Sequence, residues 1–324
     1  MSISTQIAHL IWAPLSRVVP LGLLLATLLP AMNSAAQEQH PVGASKDLCY
    51  AFTRDNDIWT VCHGKRERIH VPSKVSGFAL STDGSYLAYY TQKTSQHGRV
   101  LQRQDLIVVS LEPGFNTLRK EVGVNPENGR LLGTCGTILK YSNERDTSMD
   151  LIDTDPSKLP QQRSFQCSSD RRVIAVWARA ALPSRGAVVV TLNGEEKLRL
   201  PWGPSDLHIS PNGKYVAYSN LVDDKLQLCI TEIGGQPSCT PNPPGNRGVE
   251  SISDSGEVLS FVELDSFCGG LACIGIEYWR PDTSKREVLE RNDSYEGQWI
   301  SPQTAARLHE WSVTLSQDAK SNKN

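Results

Sequence analysis

Asp206-Leu207-His208-Ile209-Ser210-Pro211-Asn212-Gly213-Lys214-Tyr215-Val216-Ala217-Tyr218-Ser219 reads as a strand, a tight turn and a second strand. Pro211 presets φ and Gly213 accepts a positive φ, so the backbone reverses at Ser-Pro-Asn-Gly; the Tyr/Val/Ala/Tyr run that follows has the period of a pleated strand. Related stretches lie at Phe78–Tyr89, around Ser81-Thr82-Asp83-Gly84, and at Phe165–Val176, where Arg171 stands in place of the glycine. Others lie at Glu250–Phe261, around Ser253-Asp254-Ser255-Gly256, and, more weakly, at Val122–Leu132 with an extra turn residue. A last one, Gln298-Trp299-Ile300-Ser301-Pro302-Gln303, degenerates after its proline. The copies fall about 42 to 48 residues apart, the spacing at which four-stranded propeller blades recur.

Each copy is followed by β-branched runs bounded by Gly, Pro, Asn and Asp, such as Leu106–Ser110, Met149–Asp153, Ala187–Val190, Leu226–Ile230 and Ile274–Trp279. These predict further strands and no long helix. The two ends are complementary: Leu48–Val71 holds outer strands without an inner one, and the last copy holds an inner strand without outer ones. Pairing them in one blade removes a free sheet edge. The fold expected is therefore all-β, a six-bladed β-propeller with seven blades as a variant, its ring closed by the N- and C-terminal strands. It spans 48–315, with 316–324 as a disordered tail.

Composition is that of a globular chain, 39% hydrophobic and 21% charged. A formal charge of -2 and no basic cluster beyond Lys65-Arg66-Glu67-Arg68, read as a solvated hairpin edge, argue against a nucleic-acid partner. Arg17, the apolar run Val18–Met32 and Ser34-Ala35-Ala36 predict a signal peptide over 1–36. The run is too short, and too broken by Pro20 and Pro30, to anchor the chain, so no membrane span is expected after cleavage. Residues 37–47 form a flexible lead-in, and the protein is expected to be periplasmic or secreted.

Eight cysteines fit an oxidising compartment. Cys49 and Cys62 flank a turn symmetrically, as do Cys229 and Cys239; Cys268 and Cys273 bracket another, which leaves Cys135 with Cys167. No zinc-type spacing rivals this reading.

The Ser-Pro-Asn-Gly-Lys-Tyr-Val-Ala-Tyr-Ser element, with its echoes at Ser81 and Ser253, resembles the WD40-like repeat of the TolB-like bacterial β-propellers, from about Leu48 to Trp311. The resemblance implies a six-bladed ring and an envelope or periplasmic location. It is specific for fold and weak for function.

No G-x-S-x-G elbow, phosphate loop or cofactor motif is present, so neither a nucleophile nor a cofactor is assigned. The acidic pairs Asp55/Asp57, Asp153/Asp155 and Asp223/Asp224 read as surface turns. The inner strands carry the remaining site argument, because in a propeller they surround the central channel. One face presents Leu80, Val124, Cys167, Ile209, Ile252 and Ile300, and the other Ala79, Gly123, Gln166, His208, Ser251 and Trp299. The channel candidates are Gln166, His208, Glu250, Ser251, Gln298 and Trp299. They point to a non-catalytic module that binds a protein, peptide or glycan. The alternative is an extracellular polysaccharide lyase or hydrolase built around His208 and Glu250.

Overall fold

The computed structural model describes residues 48–91, 104–124, 130–134, 136–142, 147–152, 165–178, 187–201, 207–222, 225–241, 246–268, 271–280, 285–291 and 294–321. The expected signal peptide and lead-in, the acidic pairs at Asp153/Asp155 and Asp223/Asp224, and Cys135 lie outside the described residues. The strands are β1 (Cys49–Arg54), β2 (Asp57–Cys62), β3 (Lys65–Ile69), β4 (Val75–Leu80), β5 (Tyr86–Thr91), β6 (Gln104–Ser110), β7 (Thr117–Val124) and β8 (Arg130–Thr134). They continue as β9 (Thr137–Ser142), β10 (Thr147–Asp150), β11 (Phe165–Cys167), β12 (Val173–Ala178), β13 (Ala187–Leu192), β14 (Glu195–Pro201), β15 (Leu207–Ile209) and β16 (Tyr215–Val222). The last are β17 (Lys225–Glu232), β18 (Ser238–Pro241), β19 (Asn246–Ile252), β20 (Val258–Cys268), β21 (Leu271–Arg280), β22 (Lys285–Glu290) and β23 (Tyr295–Trp299), before the helix α1 (Pro302–Ser321).

The protein is a β-propeller. Four sheets run in chain order, β4 to β7, β11 to β14, β15 to β18 and β19 to β22, and β23-β1-β2-β3 is a fifth four-stranded blade shared by the two ends. Strands β8, β9 and β10 make a three-stranded sheet in the remaining place. The described residues thus give five four-stranded blades rather than the six or seven expected. Antiparallel pairing of Tyr50 with Trp299 and Ala51 with Gln298 joins the ends. The inner strands β4, β8, β11, β15, β19 and β23 each touch the next, and β23 touches β4.

The recurrent serine explains why the turns are alike. Ser210 Oγ donates to Asn212 Oδ1 (2.8 Å) and accepts from the Tyr215 N–H (2.9 Å), while Asn212 Oδ1 accepts from the Lys214 N–H (2.9 Å). Ser81 with Asp83 and Ser168 with Asp170 repeat these bonds. The three serines are buried, so their side chains supply the partners that water would otherwise give. Gly213 sits at φ 71° and exposed Arg171 takes the same place at φ 59°. A Cβ on Gly213 would lie 2.9 Å from Ser168 Cβ and Val173 Cγ2. Gly213→Ala is therefore expected to lose about 1–3 kcal/mol in urea unfolding, from positive-φ strain plus overpacking, whereas Arg171→Gly should stay within about 1 kcal/mol of wild type.

Apolar clusters form most of the seams between neighbouring sheets. Ala88, Leu106 and Val108 meet Ile138 and Leu151; Val190 and Val188 meet Ile209 and Val216; Ala217 and Leu228 meet Val258 and Trp279; Leu259 and Tyr278 meet Tyr50 and Phe52. The seam between the three-stranded sheet and β11 is bridged by Thr134, whose Oγ1 accepts from the Cys167 N–H (2.9 Å).

Helix α1 corrects the expectation of no long helix and of a disordered tail from 316. Ser301 Oγ accepts from the Thr304 N–H (3.0 Å), capping the first turn, and Pro302 at the first helical position needs no N–H partner. The Ser-Pro that starts a β-turn elsewhere thus starts a helix here, because Gln303-Thr304-Ala305-Ala306 follows instead of an Asn/Asp-Gly reversal. Ala305, Leu308, Trp311 and Ser312 are buried along one face. Leu308 and Trp311 enter the seam of Ile58, Ile69, Leu87 and Tyr89, and Ser312 Oγ accepts from the His70 N–H (2.7 Å). No described helix is long and apolar enough to cross a membrane.

The Val122–Leu132 stretch is also corrected. Val122, Gly123 and Val124 end β7, an outer strand, with Val122 exposed, and the inner strand of the next sheet is Arg130–Thr134.

Cys49–Cys62 and Cys229–Cys239 are disulfides between residues directly opposite in neighbouring strands. Cys167 is also disulfide-bonded. The register sets Cys268 opposite Leu271 and Cys273 opposite Leu264. Sequence separations of 13 and 10 in the two described bridges close short loops. Each bridge is worth about 2–4 kcal/mol through the unfolded state. A reductant is accordingly expected to lower the melting temperature, and an unchanged melting curve would refute this.

Candidate functional site

The inner strands meet around an open-mouthed cavity of about 80 Å3. Gln166 (β11), His208 (β15), Glu250 and Ser251 (β19), and Gln298 and Trp299 (β23) all line it. So do residues that period-two reading of the sequence did not select: Leu131, Leu132 and Gly133 on β8, Phe78 on β4, Pro211 in the Ser210 turn, and Glu296.

Glu250 and Glu296 reach the cavity through irregular backbone. On β19 the pairing steps from Val249–Ser260 to Ser251–Leu259, which leaves Glu250 as an extra residue. On β23 it steps from Tyr295–Thr53 to Gln298–Ala51, with Glu296 at φ 58°. Each is a β-bulge, a device that re-aims a side chain out of strict alternation. Alternation is the only face signal a sequence offers here, so Glu296 left no trace in it.

The two sides of the cavity differ. Toward β4 the polar groups are spent on backbone. Gln298 Oε1 accepts from the Leu80 N–H (2.9 Å), Gln298 Nε2 donates to the Leu80 carbonyl (2.7 Å), and Glu296 Oε2 accepts from the Phe78 N–H (2.8 Å). These bonds fasten the closing strand β23 to its other neighbour in the ring. Ser251 Oγ accepts from the Trp299 N–H (3.1 Å) in the same way, between β19 and β23.

Trp299 is half-buried and lines the cavity while packing against its neighbours. Its indole stands edge-on to Tyr50 and Tyr278, at 6.1 and 6.3 Å between centroids, and its Nε1 donates to the Glu257 carbonyl (2.9 Å). The hydrogen bond and the two tyrosines hold the ring in the seam between blades.

The other side, on β11, β15 and β19, carries Gln166, His208 and Glu250. Gln166 is 7% exposed, and its amide Nε2 is buried without a hydrogen-bond partner. A buried donor in that state costs about 1–3 kcal/mol. The described lining contains two carboxylates and no Lys or Arg. Among the described residues one grouping has metal-ligand spacing, Cys49, Cys62 and His63, and its two sulfurs are joined in a disulfide.

No family model matches the chain, and no curated protein matches it. Solved structures do. TolB from Acinetobacter baumannii is 13% identical, covering 78% of this chain and 67% of that one with a TM-score of 0.45. The nidogen/laminin complex gives 10% identity, 78% and 97% coverage and a TM-score of 0.44. A putative 6-phosphogluconolactonase from Bacteroides fragilis gives 12%, 81%, 97% and 0.37. These are likenesses of fold alone.

Proposed function

We propose that the protein is a periplasmic or secreted binding module, related in architecture to TolB-like propellers, that takes a protein, peptide or glycan ligand at the axial cavity without catalysing its conversion. In this reading the β8–β10 sheet is a sixth blade and the ring is six-bladed. The disulfides support a location outside the reducing cytoplasm. The observation that carries the binding role is the convergence of Gln166, His208 and Glu250, from three successive inner strands, on one concave site. The small negative net charge supports a partner other than nucleic acid.

A cavity-filling variant, Gln166→Trp, tests the reading. Species retained by the immobilised wild-type protein from an extracytoplasmic fraction are expected to be lost with the variant, provided circular dichroism shows the same fold. Identical retention by both proteins would remove the cavity as the site.

A further inference from the structure

We propose that Cys49, Cys62 and His63 form a redox-gated metal site: with the disulfide reduced, two thiolates and an imidazole take a divalent ion of the zinc type. None of the three residues lines the axial cavity, so the proposal stands independently of the binding role given above.

The ligand atoms are already gathered. One from each residue, the two sulfurs and a ring nitrogen, lies within 4.8 Å of the others. A tetrahedral zinc ion, with bonds of about 2.3 Å to sulfur and about 2.0 Å to nitrogen, needs ligands about 3.5–3.8 Å apart. Opening the disulfide and turning each side chain slightly gives that spacing. Cys229–Cys239 is also a cross-strand disulfide, but no third ligand of this kind joins it among the described residues.

The backbone supplies a separate reason. Consecutive strand residues point to opposite faces, so Cys62 and His63 would diverge in a regular strand. Here His63 and Gly64 are the two central residues of the turn between β2 and β3, at φ 52° and 75°, and the reversal brings the imidazole back beside the sulfurs. The arrangement does not depend on the S–S bond. Strands β1 and β2 are the two central strands of their blade, and Cys49 stands opposite Cys62 in a continuous register. The Cys49 carbonyl accepts from the Ile300 N–H (3.1 Å), and the His63 N–H donates to the Leu48 carbonyl (3.3 Å). Cys62 is half-buried and His63 exposed, which leaves an entry path for an ion and for a reductant.

A dithiol passes two electrons and two protons to the disulfide, giving the two cysteine thiols and leaving as its own disulfide. The ion then displaces both thiol protons, and the two thiolates balance its charge. Neutral His63 gives a ring-nitrogen lone pair, and water fills the fourth position. Exchange with an oxidised dithiol, with two protons taken up, rejoins the sulfurs and ejects the ion. The metal thus clamps β1 to β2 whenever the disulfide does not.

Competition against a chromophoric chelator, with oxygen excluded and a phosphine reductant present, measures zinc binding by the full chain. Reduced wild type is expected to bind one zinc ion more than Cys62→Ser, and zinc to raise the melting temperature of the reduced protein but not of the oxidised one. His63→Asn, which tolerates the same positive φ, should weaken that ion about tenfold or more. The other reduced cysteines are the same in all three proteins, so the differences report this site alone. Equal zinc binding by oxidised and reduced protein, equal binding by wild type and Cys62→Ser, or an affinity unmoved by His63→Asn overturns the proposal. Circular dichroism follows the fold. A reduced chain that loses its strands and does not regain them with zinc overturns it too, because binding at such a site is itself folding free energy.

Discussion

Gly133→Ala is expected to destabilise the protein by about 3 kcal/mol or more, read as a fall in the urea midpoint. A Cβ on Gly133 would stand 1.6 Å from the Leu80 carbonyl oxygen, and the obstacle is backbone, which no rotamer change can move. The same carbonyl accepts from Gln298 Nε2, so displacing β8 from β4 also disturbs the fastening of the closing strand. Gly194→Ala provides the control. Gly194 has φ 83° and nothing within 4 Å of an added Cβ, so its substitution isolates the cost of positive φ, about 1 kcal/mol. Equal losses at the two sites would show that the approach of β8 to β4 is not tight.

Arg66→Met is expected to cost about 3–5 kcal/mol at neutral pH, because it leaves a buried carboxylate without its cation. Glu290 is 1% exposed in its side chain, and Arg66 Nη2 donates to both of its oxygens at 2.8 and 2.7 Å. Tyr50 donates its hydroxyl to Glu290 Oε1 at 2.8 Å. Burial raises the Glu290 pKa above the ordinary carboxylate range, and the Arg66 charge opposes the rise. An acid whose folded pKa exceeds its unfolded value binds protons more tightly when folded, so its contribution is best below the unfolded value and is lost as pH rises through the folded one. Removing Arg66 raises the folded value further. The stability of the variant relative to wild type should therefore recover on acidification through that window, and a deficit independent of pH would sink this account. Burial and the neighbouring Glu290 also raise the Tyr50 pKa, keeping its phenol a donor.

Arg66 also shows where sequence reading stops. Lys65-Arg66-Glu67-Arg68 looks like one solvated edge, and Lys65 is indeed exposed. Yet Arg66 reaches from β3 to Glu290 on β22, and that contact follows from ring closure, not from anything local. The blade periodicity was legible because the Ser81, Ser168 and Ser210 turns are each specified within six residues by a serine, an Asp or Asn, and a position that accepts positive φ. The hairpin disulfides at Cys49–Cys62 and Cys229–Cys239 were legible for the same reason, since turn and register are both local.

Errors arose where two local signals competed. Val122-Gly123-Val124 has strand chemistry and a following Asn-Pro, and it outcompeted the plainer Leu131-Leu132-Gly133-Thr134 that forms the inner strand. Ser301-Pro302 fits a turn and a helix start equally well, and the buried stripe through Leu308 and Trp311 decides for the helix. The cavity was legible as a set of inner-strand positions. Its asymmetry was not, because bulges set the positions of Glu250 and Glu296, and cross-strand bonds to Leu80 and Phe78 consume one side.

Joining the first and last strands in one sheet sets a timetable for folding. The hairpin of β1 and β2 can form, and its disulfide close, from local residues alone. Tyr50 meets its partner Trp299 only after almost the whole chain has been delivered. Until then the polypeptide carries an unfinished edge, so maturation is slow by topology and vulnerable to edge-to-edge association with other chains.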